Sequence, residues 1–147
     1  MIMVCKILLC TDGSEGAIRT VRYTAEFAQS LKAEVILVSI FNPPVGALMW
    51  THEVLATNLD DVLASGENVR ETLTKMSAAI LAEAGISFRT HVEIGDPVRL
   101  IIEIAKKERV DMIALGSRGL GGFSSLLLGS VSDSIVHHAP CPVLIVR

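Results

Sequence analysis

Two short runs rich in glycine and serine have the composition of an anion-binding loop. Gly116-Ser117-Arg118-Gly119 is followed after nine residues by Gly129-Ser130-Val131-Ser132. The apolar segment Asp111–Leu115 before them predicts a buried strand, and the amphipathic run from Ser130 predicts a helix. The glycines would therefore lie in a strand-to-helix loop, where backbone N–H groups and the positive end of the helix dipole favour a bound phosphate.

Three kinds of group in these runs suit a phosphate. Glycine lets the backbone approach an anion because it has no Cβ, a serine hydroxyl can donate a hydrogen bond, and a guanidinium supplies positive charge. The residues concerned are Gly116, Gly119 and Gly129, then Ser130 and Ser132, and finally Arg118. A nucleotide is the ligand that this set predicts, although many glycine-rich loops need their glycines only for backbone turns.

Two well-known nucleotide loops do not fit. The Gly-Lys-Ser/Thr ending of the P-loop is absent, and the run Gly119–Ser124 has serine where the dinucleotide fingerprint requires its third glycine. The spacing Gly-x2-Gly-x9-Gly-Ser instead resembles the ATP-binding signature of the universal stress protein family. The Thr11–Ser14 loop and the ending Cys141–Val146 extend this resemblance over essentially the whole chain.

Length and charge limit the possible classes of protein. The 147 residues, half of them hydrophobic, predict one domain spanning 1–147. A net charge of −3 without a Lys/Arg cluster argues against nucleic acid as a partner. No apolar run approaches the ~20 residues of a membrane-spanning helix. We therefore expect no membrane association, and because no leader is recognisable at the N-terminus we expect a cytoplasmic protein.

Strand and helix patterns alternate along the chain. Five apolar strands joined by helices predict a doubly wound parallel α/β sheet. The predicted strands are Val4–Leu9, Glu34–Phe41, Ile86–Glu93, Asp111–Leu115 and Val143–Val146, and the predicted helices are Glu15–Lys32, about Glu53–Glu83, Pro97–Lys107 and Ser130–His138. The three cysteines, Cys5, Cys10 and Cys141, are expected to be buried free thiols.

The resemblance implies an adenine nucleotide alpha hydrolase-like fold with strand order 3-2-1-4-5. Strands one and four are then neighbours where the order reverses, so Asp12 and Gly116 would face one crevice. In the family's pattern Asp12 matches the acidic residue near the ribose, and the backbone of Ile40 matches the position that reads the adenine edge. The positions that match the phosphate contacts are Gly116, Gly119, Gly129, Ser130, Val131 and Ser132.

The resemblance also bears on metal binding. Asp12 could help to hold Mg²⁺ or Mn²⁺ against the phosphates of ATP, whereas no set of protein ligands alone predicts a metal site. The alternative for Asp12 is a helix-capping carboxylate.

No motif for catalysis is recognisable, so an ATP site without an obvious base or arginine finger should hydrolyse slowly or not at all. The leading hypothesis is an ATP-binding stress-response protein that acts as a nucleotide-dependent regulatory switch. A slow ATP hydrolase or adenylating enzyme on the same fold is one alternative. A dimerisation module with an empty cleft is another, which the glycine signature makes less attractive.

The last strand bears on assembly. Val143–Val146 carries neither charge nor proline and should lie at a sheet edge, where its unpaired backbone groups need a cover. Antiparallel pairing of residues 141–147 with a second copy would supply one, as the resemblance also implies, and predicts a homodimer. Cover by a loop or helix of the same chain is the alternative.

Overall fold

The computed structural model describes residues 3–42, 72, 74–118 and 128–147, in which strands and helices alternate. The described strands are β1 (Lys6–Cys10), β2 (Glu34–Phe41), β3 (Phe88–Ile94), β4 (Met112–Gly116) and β5 (Val143–Val146). The described helices are α1 (Glu15–Leu31), α2 (74–83), α3 (Pro97–Glu108) and α4 (Ser130–His138). All neighbouring strands run parallel in the order β3-β2-β1-β4-β5, which confirms the predicted fold class and order.

The central strand β1 is covered on both faces. Ile7, Leu8 and Leu9 are fully buried, and alternate residues belong to different core clusters. One cluster joins Ile7 and Leu9 to α1 and α2, and the other joins Leu8 to α3 and α4. Burial on both faces explains why the strand is a continuous apolar run without polar alternation.

Helix α1 begins as predicted but ends differently. Ser14 is its N-cap, with the Ala17 N–H donating to Ser14 Oγ at 3.1 Å. Apolar residues at three- and four-residue spacings from Ile18 to Leu31 predict a stripe that packs on the sheet. The prediction is wrong at the last of these residues, because Leu31 is 41% exposed. The chain reverses at Lys32. Ala33 is therefore buried against the core in place of Leu31, and its N–H donates a hydrogen bond to Ala28 O.

The other helix boundaries follow local signals. Gly85 ends α2 with a φ of +69°, and Asp96 caps α3 through its Oδ1, which accepts from Arg99 N at 2.7 Å. Helix α4 has the predicted bounds. The start of the predicted helix at Glu53 lies outside the described residues. No helix within the described ranges is long and apolar enough to cross a membrane.

The edge strand and the cysteines partly depart from expectation. The alternation of apolar and polar residues over Ile86–Glu93 predicts an edge strand with Val92 on its apolar face. Strand β3 does lie at a sheet edge, but Val92 is 46% exposed. Cys5 precedes β1 and is exposed, so its predicted burial is wrong, whereas Cys10 and Cys141 are half-buried free thiols. Burial raises the pKa of the Cys10 thiol to about 12, which keeps it protonated at neutral pH.

A charged network ties β2, β3 and α3 together. Arg89 on β3 donates to Glu34 at the start of β2 and to Glu108 at the end of α3. The hydrogen bond from Arg89 lowers the pKa of Glu108, and the same bond is the main cause that raises the pKa of Arg89. The ionised form of Glu108 is thus favoured in the folded state.

This network predicts a pH dependence of stability. Because the folded-state pKa of Glu108 is lowered, its contribution is complete above the ordinary glutamate pKa of about 4.3 and is lost as pH falls through the folded value. We expect the melting temperature of an Arg89→Gln variant to lie below that of the parent at pH 7, and the difference to shrink toward pH 3. An Arg99→Gln variant, which removes an exposed pair within α3, is the control. A constant difference over this range would contradict the assignment.

Candidate functional site

The sheet has an opening where β1 stops before its neighbours. Cys10, the last residue of β1, is in register with Val38, so β2 continues through three further residues to Phe41. On the other side Leu9 is in register with Ala114, and β4 continues to Gly116. The opening therefore lies at the carboxyl edge beside the reversal of strand order, which is where doubly wound sheets bind ligands.

Backbone alternation along β2 directs Ile40 toward this opening. Val38 O accepts from Thr11 N on the β1 side at 2.9 Å, whereas Phe41 O accepts from Gly95 N on the β3 side at 2.8 Å. Since successive strand residues face opposite neighbours, the N–H and C=O of Ile40 point to the β1 side. At that level β1 has already ended, so a ligand could meet both groups.

The same alternation orients the end of β4. Ile113 N donates to Pro142 O and Ser117 N donates to Val146 O, so these residues face β5. Gly116 lies one residue before Ser117, and its backbone groups therefore face the end of β1. Gly116 and Ile40 thus approach the end of β1 from opposite sides, and the predicted convergence on the Asp12 loop is what the strand order produces.

The turn after β1 is held by its own side chains. Asp12 Oδ1 accepts from Ser14 N at 2.9 Å, and Gly13 has a φ of +76°, which favours glycine. Ser14, and not Asp12, caps α1. The carboxylate of Asp12 therefore shapes the turn at the opening, half-exposed, rather than capping the helix.

Helix α1 packs closely on the residues that follow β4. A Cβ added at Gly116 would lie 3.2 Å from Thr20 Oγ1 and 3.3 Å from Arg118 O, and one added at Gly16 would lie 3.7 Å from the same carbonyl. Gly116 is therefore required for contact between α1 and the loop, in addition to any approach to an anion. Sequence reasoning missed Gly16, although a glycine in the first turn of a helix is a signal of such close packing.

Helix α4 is joined to the same loop at its first turn. Gly129 N donates to Ser117 O at 2.7 Å, and Ser132 Oγ lies 2.9 Å from both Ser117 O and Gly129 O. Ser132 is buried and its hydroxyl is engaged with these carbonyls, whereas Ser130 is exposed. The first backbone N–H groups of an α-helix have no intrahelical acceptor, and Gly129, the N-cap of α4, has no side chain to accept from them.

Arg118 lies between the starts of two helices. Its carbonyl is the close neighbour of Gly16 and Gly116, and its Cα would be 3.5 Å from a Cβ on Gly129. Both helices direct the positive ends of their dipoles to this edge. Gly119, predicted for the same site, lies outside the described residues. Among residues 3–42, 72, 74–118 and 128–147, no group of three or more His, Cys, Asp or Glu could hold a metal ion.

A second layer of polar contacts supports the Asp12 turn. Thr11 and Ser77 of α2 are both buried, and their hydroxyl oxygens are 3.1 Å apart. Thr11 Oγ1 also accepts from Gly13 N at 3.3 Å. Sequence reasoning missed this pair, because nothing local links residues 66 positions apart.

The strand order and the opening at its reversal define a doubly wound protein of the adenine nucleotide alpha hydrolase-like class. Comparison with known proteins makes this more specific. The sequence model of a protein family, described as "Universal stress protein family", matches residues 3–147 of this chain. The chain therefore belongs to that family.

Two curated relatives match over nearly the whole chain. A universal stress protein of Thermus aquaticus, encoded in the QAH/OAS sulfhydrylase 3′ region, is 34% identical and the match covers 96% of this chain and 97% of the relative. Universal stress protein MJ0531 of Methanocaldococcus jannaschii is 30% identical, with 97% of this chain and 81% of the relative covered.

Solved structures share the architecture. Hypothetical protein MJ0577 superposes with a TM-score of 0.77 at 28% identity, covering 99% of this chain and 96% of that one. A universal stress protein solved with cAMP has a TM-score of 0.68 at 22% identity, with 97% and 96% covered. The Archaeoglobus fulgidus protein solved with dAMP has a TM-score of 0.68 at 21% identity, with 99% and 100% covered. At these last identities the likeness is one of fold.

Proposed function

We propose that this universal stress protein binds ATP in the opening beyond β1 and acts as a nucleotide-dependent switch in a stress response. The observation that carries the proposal is the orientation of two backbone segments toward the same opening. Ile40 approaches it from β2, while Gly116 and the first turn of α4 approach it from the β4 side. This arrangement provides separate places for a base and for phosphates.

Ile40 supplies base recognition in this proposal. A backbone N–H beside a C=O offers one donor and one acceptor, which complement the ring nitrogen and amino group on the adenine edge. Guanine presents the opposite order of donor and acceptor on that edge. Backbone atoms keep this pattern whatever the side chain, so the site would prefer adenine over guanine.

Asp12 supplies the contact to the ribose. A carboxylate accepts hydrogen bonds on both oxygens, which suits ribose hydroxyls, and the bond from Ser14 N to Oδ1 fixes how the side chain is held in the turn. The same carboxylate could hold Mg²⁺ or Mn²⁺ that is also bound by the phosphates, since these cations prefer oxygen ligands.

The phosphates are assigned to the first turn of α4. Backbone N–H groups there, together with the dipoles of α1 and α4, favour an anion. The residues assigned are Gly116, Gly119, Gly129, Ser130, Val131 and Ser132, with Arg118 supplying positive charge. Ser132 would contribute its N–H, because its hydroxyl is engaged with loop carbonyls. The cAMP and dAMP complexes of related universal stress proteins support adenine nucleotides as the ligand class.

Replacing Gly129 by valine tests the phosphate assignment. A Cβ at this position would already lie 3.3 Å from Ser117 O and 3.5 Å from Arg118 Cα, so the larger side chain must displace that backbone. Overpacking of this kind costs about 1–3 kcal/mol, and we expect ATP affinity to fall by about 10- to 100-fold in calorimetry.

A graded control accompanies this variant. Gly129→Ala adds only the Cβ and should weaken binding less, and the circular dichroism of both variants should match the parent, because the loop lies at the end of the sheet. GTP should bind the parent more weakly than ATP. Equal ATP affinity in Gly129→Val and the parent would refute the site, and retained ATP or ADP in mass spectra of freshly purified parent would support it.

The proposed switch also implies slow chemistry. No general base or second cation for a nucleophile is assigned, so we expect ATP turnover far below the ~1–100 s⁻¹ of typical kinases. Release of phosphate by purified protein, with Mg²⁺ or Mn²⁺ present, measures this rate. Metal-dependent turnover in that range, abolished by Asp12→Asn, would show that the protein is an ATP hydrolase.

We further propose a homodimer through residues 141–147. Strand β5 is at the sheet edge, and all four of its apolar side chains remain half-exposed in the single chain. Pro142 O and Val146 O accept from β4, so even-numbered residues of β5 face β4 and odd-numbered residues face outward. Pairing with a second copy would use the backbone of Val143 and Ile145.

This alternation selects the variant that tests the dimer. Ile145→Pro removes an outward N–H and should leave the β4 ladder intact, because proline is tolerated on the outer side of an edge strand. We expect light scattering to show a dimeric parent and a largely monomeric, folded Ile145→Pro variant. Leu144→Pro removes an N–H that faces β4, and should instead lower the melting temperature. A monomeric parent would refute the interface.

A further inference from the structure

We infer that Ser77 of α2 is a positioning residue that holds the Asp12 turn in the shape that contacts the ribose, an inference that rests on the proposed ATP site. Ser77 is 0% exposed and Thr11 is 5% exposed, and their hydroxyl oxygens are 3.1 Å apart. The pair joins α2 to the first residue after β1. Helix α2 otherwise contributes none of the groups assigned to the nucleotide.

The hydroxyl of Thr11 takes part in two hydrogen bonds at once. It accepts from Gly13 N at 3.3 Å and shares a hydrogen bond with Ser77 Oγ. Thr11 N is meanwhile fixed to Val38 O at 2.9 Å. Because threonine is branched at Cβ, its hydroxyl can be placed only by a choice among a few χ1 rotamers. Ser77 favours the rotamer that also receives the Gly13 N–H.

The geometry of Asp12 depends on that rotamer. Gly13 holds a φ of +76°, and the next bond runs from Ser14 N to Asp12 Oδ1 at 2.9 Å. Two consecutive side-chain-to-backbone bonds therefore define the turn, and Ser77 anchors the first of them. Losing this anchor frees Thr11 to rotate, and the carboxylate of Asp12 would then be less well ordered for the ribose.

A buried hydroxyl does not by itself hold the Asp12 turn, as Thr24 shows. Thr24 of α1 is also 0% exposed, yet its Oγ1 has no hydrogen-bond partner within the described part of the chain. Removing that hydroxyl breaks no bond to the turn. Thr24→Val is thus a matched control for loss of a buried hydroxyl in the same layer of the protein.

The test compares ATP with 2′,3′-dideoxy-ATP, which lacks both ribose hydroxyls. Calorimetry on the parent should show tighter binding of ATP, since Asp12 accepts from those hydroxyls. In Ser77→Ala we expect this preference to fall by about three- to tenfold, with dideoxy-ATP affinity little changed. Thr24→Val should keep the preference of the parent. A purely structural role for Ser77 would lower the melting temperature and leave the ratio unaltered.

A second variant covers the case of a poorly folded Ser77→Ala. Thr11→Val removes the other hydroxyl with little change in shape, so this variant should also have a reduced preference for ATP over 2′,3′-dideoxy-ATP. The double variant Thr11→Val/Ser77→Ala should show no further reduction of that preference. Faster amide hydrogen exchange at Gly13 in ligand-free Ser77→Ala is also expected.

The possible failures are distinguishable. A parent that binds no adenine nucleotide overturns the proposed function and this inference with it. A parent that binds both nucleotides equally overturns the ribose role of Asp12 and hence that of Ser77. An unchanged preference in Ser77→Ala or in Thr11→Val, with the parent discriminating normally, overturns the positioning role alone.

Discussion

The hydrogen bond from the backbone N of Thr11, the first residue after β1, to Val38 O on β2 lies where β1 ends beside a longer strand, and the geometry of the site depends on that position. Had β1 continued beside β2, the backbone of Ile40 would have paired within the sheet. The chain instead turns at Asp12, while β2 runs on to Phe41. A difference in length between adjacent strands thus leaves the backbone of Ile40 without a β1 residue beside it, which is the feature that the proposed base recognition uses.

Glycine allows α1 and α4 to pack against the residues after β4, on the side of the site assigned to phosphate. Helices α1 and α4 both begin against the residues after β4, with backbone contacts that leave little room for side chains at Gly116 and Gly129. Ser132 closes this junction through two carbonyls. The described part of the proposed phosphate position is consequently formed by closely packed main chain.

The predictions from sequence succeeded where the signal was local. Residue types within a few positions predict a cap of α1 at Ser14 or Asp12, the start of α3 at Asp96-Pro97 and the end of α2 at Gly85, and they also predict the bounds of α4. The structure has all four, with Ser14 as the cap of α1. Leu31 and Cys5 were misplaced because burial there depends on where the chain reverses and where the sheet begins, and periodicity carries no information on either.

The sequence by itself determined the alternation of strands and helices, the glycine spacing and the membership of a family, because each depends on residue types at short separations along the chain. The tertiary structure decided that the backbones of Ile40 and Gly116 face the opening and that the backbone of Ile145 faces the outer edge of the sheet, since both depend on strand register and on the position of each residue in the alternation of its strand. It also decided that Ser77 meets Thr11 across 66 residues. Contacts of this kind arise only when the helices pack on the sheet, and no local pattern encodes them.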